Sequence, residues 1–77
     1  MNTRHNYKGR IIESRIYPLR DGGWTAHFSI EEHLGYCVLD TPFEAGQRFP
    51  TRDAALGASI RMGMDKIESR FETVISD

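Results

Sequence analysis

Trp24-Thr25-Ala26-His27-Phe28-Ser29-Ile30-Glu31-Glu32 alternates without a break: Trp24, Ala26, Phe28 and Ile30 fall on one face, Thr25, His27, Ser29 and Glu31 on the other. Extended chain points successive side chains to opposite sides, so this period of two specifies a strand with one buried face. Asp21-Gly22-Gly23 stands directly before it and supplies the residues of a hairpin turn, since glycine takes positive φ at little cost. The run Arg10 to Leu19, rich in Ile and Tyr, is then the partner strand, with Pro18 loosening its end. After a turn at Gly35, Tyr36-Cys37-Val38-Leu39 begins a third strand. Thr41-Pro42-Phe43-Glu44-Ala45-Gly46 reads as a loop or bend, and Gln47-Arg48-Phe49 resumes the extended chain.

The last third reads as a helix over 51–74. Thr51 is the N-cap, Asp53 suits the positive first turn, and Pro50 disfavours helical geometry at Phe49. Leu56, Ile60, Met64, Ile67, Phe71 and Val74 form one apolar stripe, flanked by Ala55, Ser59 and Met62. Arg52, Asp53, Arg61, Asp65, Glu68 and Glu72 lie opposite. Gly57 and Gly63 interrupt this helix, each at a cost of about 1 kcal/mol relative to Ala. Close approach to a sheet carrying Trp24 and Phe28 is the expected reason, with a fraying point at Gly63 as the competing account. The expected fold is therefore α+β: a three-stranded antiparallel sheet over 7–49, followed by one long C-terminal helix packed on one face. Residues 1–6 lack periodicity and any apolar residue beyond Met1, which predicts a mobile arm.

The 77 residues make one domain, and 39% apolar with 27% charged residues is ordinary globular composition. No apolar run approaches transmembrane length, and Met1-Asn2-Thr3-Arg4-His5-Asn6 is no signal peptide, so the expected compartment is the cytoplasm and no membrane partner is expected. A single cysteine, Cys37, excludes an internal disulfide and a Cys-type zinc site. His5, His27 and His33 match no metal-ligand spacing. A Cys37–His27 nucleophile pair needs a particular register plus an orienting group, and Glu31 and Glu32 point to opposite faces, so they cannot act as an acid–base pair. No glycine loop leads into a helix to cradle phosphate. The reading is a non-enzymatic protein with no catalytic residue, cofactor or metal.

Charge is segregated. Residues 1–20 carry Arg4, Lys8, Arg10, Arg15 and Arg20 against Glu13, a balance of +4; residues 21–47 carry Asp21, Glu31, Glu32, Asp40 and Glu44 with no Lys or Arg, a balance of −5. A basic first strand with Tyr7, Tyr17 and Tyr36 nearby suits single-stranded nucleic acid, the second of two functional readings. The first is protein association, including with itself. A three-residue turn at 21–23 pairs Ile16 with Phe28 and Ser14 with Ile30, which sends Ile12 and Ile16 to the core and leaves Ile11, Arg15, Tyr17, Leu19 and His27 as a candidate partner-contact face. The alternative is that the N-terminal arm or the 41–48 loop folds over that face within one chain.

Tyr7-x-Gly9, Asp21-Gly22-Gly23-Trp24, Phe49-x-Thr51 with Asp53-Ala54-Ala55, and Met64-Asp65-x-Ile67 occur in that order. This order resembles a group of small, uncharacterised bacterial proteins, which in turn resemble the N-terminal domain of HicB-type antitoxins. The resemblance implies a three-stranded antiparallel sheet before a helix, and a small toxin-like protein as partner. With the chain ending at Asp77, the DNA-binding domain that such antitoxins append is not expected, nor is operator binding.

Overall fold

The alternating segment around Phe28 becomes an inner strand of the sheet. The structure, a computed structural model, describes the backbone of residues 2–76 and the side chains of residues 2–69. Four strands, β1 (Asn2–Tyr7), β2 (Arg10–Pro18), β3 (Trp24–Leu34) and β4 (Cys37–Glu44), form an antiparallel sheet in the order β1-β2-β3-β4. The helix α1 (Arg52–Ser76) packs on one face, mainly over β2 and β3. The architecture is α+β as expected, but the sheet has four strands rather than three.

The additional strand is the segment read from sequence as an arm. Asn2 to Tyr7 pairs residue by residue with Arg15 to Arg10. Lys8 and Gly9 close this hairpin with φ of +50° and +78°, the twin positive angles of a type I′ turn. Residues 41–44, expected as a loop, instead continue β4, with Pro42 opposite Ser29.

The β2–β3 turn has three residues as expected, but it spans 20–22 rather than 21–23. The Leu19 N–H donates to the Gly23 carbonyl (2.7 Å), and Gly22, not Gly23, takes positive φ (+91°). Ile16 therefore faces Ala26, Ser14 faces Phe28 and Ile12 faces Ile30, a register shifted by two residues. An even shift preserves the faces, so Ile12 and Ile16 are in the core as the hydrophobic pattern demands. Gly23 is needed for a different reason: a Cβ there would collide with the Arg48 side chain.

Ile12, Phe28, Ile30 and Ile67 form one buried cluster, joined by half-buried Tyr7, Phe43, Met62 and Met64. Phe43 stacks on Phe28 with ring centroids 5.2 Å apart. Ile16, Ala26 and Ala55 form a second cluster with Trp24, Ala45, Phe49 and Leu56 around it. The helix surface against the sheet consists of Ala55, Ala58, Ser59, Gly63 and Ile67. Leu56, Ile60 and Met64, expected at its centre, are only half-buried on its flank. The side chains of Phe71 and Val74 lie outside the described residues. Gly63 explains the rotation, because a Cβ there would stand 2.8 Å from both Cδ1 and Cγ2 of Ile12. Large side chains come from the sheet and small ones from the helix, so the two layers approach closely. Gly57 has no such role, since its Cβ would meet only the Arg61 guanidinium at 3.5 Å. In the same seam the Ser14 and Ser59 hydroxyls lie 2.8 Å apart, and Ser59 donates to the Leu56 carbonyl (2.8 Å), so Ser14 supplies the hydrogen between them.

Thr51 caps the helix as expected, its Oγ1 accepting the Ala54 N–H at 3.1 Å. Trp24 and Phe49 exchange backbone hydrogen bonds of 2.9 and 2.7 Å, which fixes the chain just before Pro50. At the other end Tyr7 Oη donates to Glu68 (2.7 Å), and Lys8 Nζ approaches the same carboxylate at 2.7 Å, tying the β1–β2 turn to the helix.

Candidate functional site

The face of the sheet away from the helix carries most of the residues expected to contact a partner. Ile11, Arg15, Tyr17 and His27 share it, because paired residues of an antiparallel ladder point the same way: Arg15 faces His27, and Tyr17 faces Thr25. Tyr17 sits edge-on to the His27 ring, with centroids 5.1 Å apart. Leu19 lies one residue past the end of β2, where its N–H donates to the Gly23 carbonyl and closes the turn. Of the two segments expected as a possible cover, the N-terminal one does not fold over this face, whereas the 45–48 stretch reaches its corner, where Thr25 Oγ1 donates to the Gln47 carbonyl at 3.0 Å. The N-terminal residues and residues 41–44 widen the sheet sideways as β1 and β4.

Ion pairs across and along the strands line the face. Arg4 Nη2 reaches Glu31 at 3.3 Å, and Arg4 and Arg15 lie 3.8 and 3.6 Å from Glu13 Oε1. His33 Nε2 is 2.7 Å from Glu31 Oε2. The His33 hydrogen bond, then the Arg4 charge, hold the Glu31 carboxyl below its ordinary pKa. At its centre Ser29, between Glu13 and Pro42, is fully buried, and its hydroxyl has no hydrogen-bond partner. Of the bases in the first twenty residues, Arg4 and Arg10 thus pair with Glu31 and Glu32 of the acidic segment, Arg15 with Glu13 of its own strand and Lys8 with Glu68 of the helix. On the helix side Arg10 Nε pairs with nearly buried Glu32 at 2.7 Å.

Exposed apolar surface is concentrated elsewhere, on the β3–β4 hairpin. Leu34 is 50% exposed, Tyr36 100%, Val38 56% and Leu39 44%. The sequence reading places Tyr36, Val38 and Leu39 on the third strand and leaves Leu34 between strands. Gly35 alone has positive φ (+70°) within the two-residue turn, the pattern of a type II′ hairpin. Cys37 is exposed at its foot, with Sγ 3.9 Å from the Leu34 carbonyl.

The register separates the groups that nucleophilic chemistry would need together. Cys37 pairs with Leu34 at one end of β4, whereas His27 pairs with Glu44 at the other. Glu31 and Glu32 stand on opposite faces, on the rows of Ile11 and Asp40 and of Leu39 respectively. Among the described residues no group of three His, Cys, Asp or Glu side chains could hold a metal ion, and no helix is long and apolar enough to cross a membrane. No protein-family model, curated protein or solved structure matches the chain.

Proposed function

We propose that this chain is a non-enzymatic, cytoplasmic module that acts by associating with protein. One observation carries the reading: four large apolar side chains, Leu34, Tyr36, Val38 and Leu39, stand in solvent on a single hairpin. Clustered apolar exposure on a small chain marks a contact surface, whereas isolated apolar residues do not. The face bearing Ile11, Arg15, Tyr17 and His27 is the subsidiary contact region, with Tyr17 42% exposed against His27. The likeness to HicB-type antitoxins supports a small toxin-like protein as one candidate partner.

Single-stranded nucleic acid is the second reading, and the ion pairs weigh against it. Arg4, Lys8, Arg10 and Arg15 each lie within 4 Å of a carboxylate, so phosphate would have to displace Glu31, Glu68, Glu32 or Glu13. The two readings differ in salt response, because binding to phosphates releases condensed counterions and the free energy gained by that release falls steeply as salt rises. The test is purification of the tagged chain from its native cell at low and high salt, together with a titration of a single-stranded oligonucleotide. Protein association that survives high salt, without oligonucleotide binding, is the expected result. Saturable oligonucleotide binding lost at high salt would replace this reading with the second.

A further inference from the structure

The exposed hairpin also carries a free sheet edge, and the hydrogen-bond phase of that edge is set by two separate observations. Ala45 donates to the Ala26 carbonyl at 3.0 Å, and the two-residue turn makes Leu34 and Cys37 a closing pair. Alternation along the ladder then turns the N–H and C=O groups of Cys37, Leu39, Thr41 and Phe43 toward β3. Those of Val38, Asp40 and Glu44 point outward, and among the described residues no strand lies beyond β4. Pro42 occupies an outward position and has no N–H to offer, so the usable edge ends at Asp40. That short edge runs between the most exposed large apolar side chains among the described residues.

We propose that this edge pairs, antiparallel, with the same edge of a second copy, around a two-fold axis at Leu39. The inference rests on the association reading above and names its partner. Three registers bring outward groups together. Centring on Asp40 sets two carboxylates directly opposite and faces Val38 with the Pro42 that lacks an N–H. Centring on Val38 requires Tyr36, a turn residue, as the second bonded position. Centring on Leu39 sets Val38 against Asp40 of the other copy twice, which makes four backbone hydrogen bonds and avoids both faults. Leu39 then meets its own symmetry mate on the helix side, and Tyr36 extends over Pro42 of the other copy. Self-pairing of this kind closes after two copies, whereas pairing β4 with a β1 edge would continue without limit. Burying Tyr36, Val38 and Leu39 with the adjoining strand on both copies removes on the order of 1,000 Å² from water, the lower limit for a specific interface. The dimer is accordingly weak and concentration-dependent.

The test is light scattering of the full chain over a wide concentration range. Val38→Pro deletes one outward N–H and no bond to β3, and Leu39→Glu places a charge at the axis without touching the backbone. Leu39→Cys, made with Cys37→Ser, puts two thiols at a separation of about 4.5 Å between Cα atoms, within disulfide range. The expected result is a wild-type monomer–dimer equilibrium, weakened at least tenfold in Val38→Pro and in Leu39→Glu, and a covalent dimer of the cysteine variant on mild oxidation. A wild-type chain that stays monomeric at millimolar concentration would overturn the proposal. So would a dimer that Leu39→Glu leaves intact and the cysteine variant does not trap. A monomer that still retains a protein partner at high salt would sink the dimer alone and leave the association reading standing.

Discussion

Gly57→Ala and Gly63→Ala make the same chemical change in the same helix, and the structure assigns them opposite signs. In an open helix interior the change from Gly to Ala stabilises by about 1 kcal/mol, through helix propensity and lost unfolded-state entropy. At Gly57 nothing opposes this, since the new methyl meets only a flexible guanidinium at 3.5 Å. At Gly63 the methyl would stand 2.8 Å from two carbons of Ile12, a side chain with no exposed surface. Overpacking of a filled core costs about 1–3 kcal/mol, which cancels or exceeds the propensity gain. The two variants should therefore differ by about 1–3 kcal/mol, and for a domain this size 1 kcal/mol moves Tm by about 4–8 °C. Thermal unfolding by circular dichroism reads both. Adding Ile12→Val, which removes one of the two colliding carbons, should recover part of the loss in Gly63→Ala and show positive coupling in a double-mutant cycle. If Gly63→Ala raised Tm as much as Gly57→Ala, the close seating of the helix on Ile12 would be wrong.

Phe28→Ala removes the ring stacked on Phe43 and should cost about 3–5 kcal/mol, measured by urea unfolding; an unchanged midpoint would refute the sheet-on-helix core. Thr51→Ala should cost about 1 kcal/mol by losing the cap on the Ala54 N–H, while Thr51→Asp should retain most of it. Asp21, Glu31 and Glu68 all have lowered pKa values, caused first by the Gly23 N–H, the His33 hydrogen bond and the Lys8 hydrogen bond respectively. The folded chain thus binds fewer protons than the unfolded one, so their contribution is present above the ordinary carboxylate pKa of about 4 and disappears as pH falls through the folded values. Tm should accordingly decline below about pH 4, and less so in Asp21→Asn, where one of the three groups no longer titrates.

The inner strand and the sides of the sheet were legible because apolar alternation carries face information even when register is misjudged. The turn slipped by one position, the register by two, and Ile12, Ile16, Phe28 and Ile30 still met on one side. β1 was illegible because Asn2-Thr3-Arg4-His5-Asn6-Tyr7 has no apolar rhythm. Its stabilising contacts are ladder hydrogen bonds to β2, the Arg4 pairs with Glu13 and Glu31, and Tyr7 against Glu68, none of which leaves an apolar pattern in the sequence. Pro42 suggested a loop, yet proline is tolerated on an outer strand when its missing N–H faces away from the sheet. The helix was misread by rotation: apolar size singled out Leu56, Ile60 and Met64, whereas the seam selects Ala55, Ser59 and Gly63 for lack of size. Of the expected contact face, Ile11, Arg15, Tyr17 and His27 do share one surface. The exposure of Leu34, Tyr36, Val38 and Leu39 has no such signature, because apolar alternation marks two faces without saying which part of either is covered.

Amide hydrogen exchange at increasing protein concentration tests the association account most directly. Both edges of the sheet present outward N–H groups: Val38 and Asp40 on β4, and Asn2, Arg4 and Asn6 on β1, where the two-residue turn makes Tyr7 and Arg10 a bonded pair. In a dilute sample all five should exchange as solvent-exposed amides. As concentration rises, Val38 and Asp40 should gain protection together while Asn2, Arg4 and Asn6 continue to exchange. Protection at Val38 and Asp40 that does not change with concentration, or a gain confined to the β1 amides, would contradict the account.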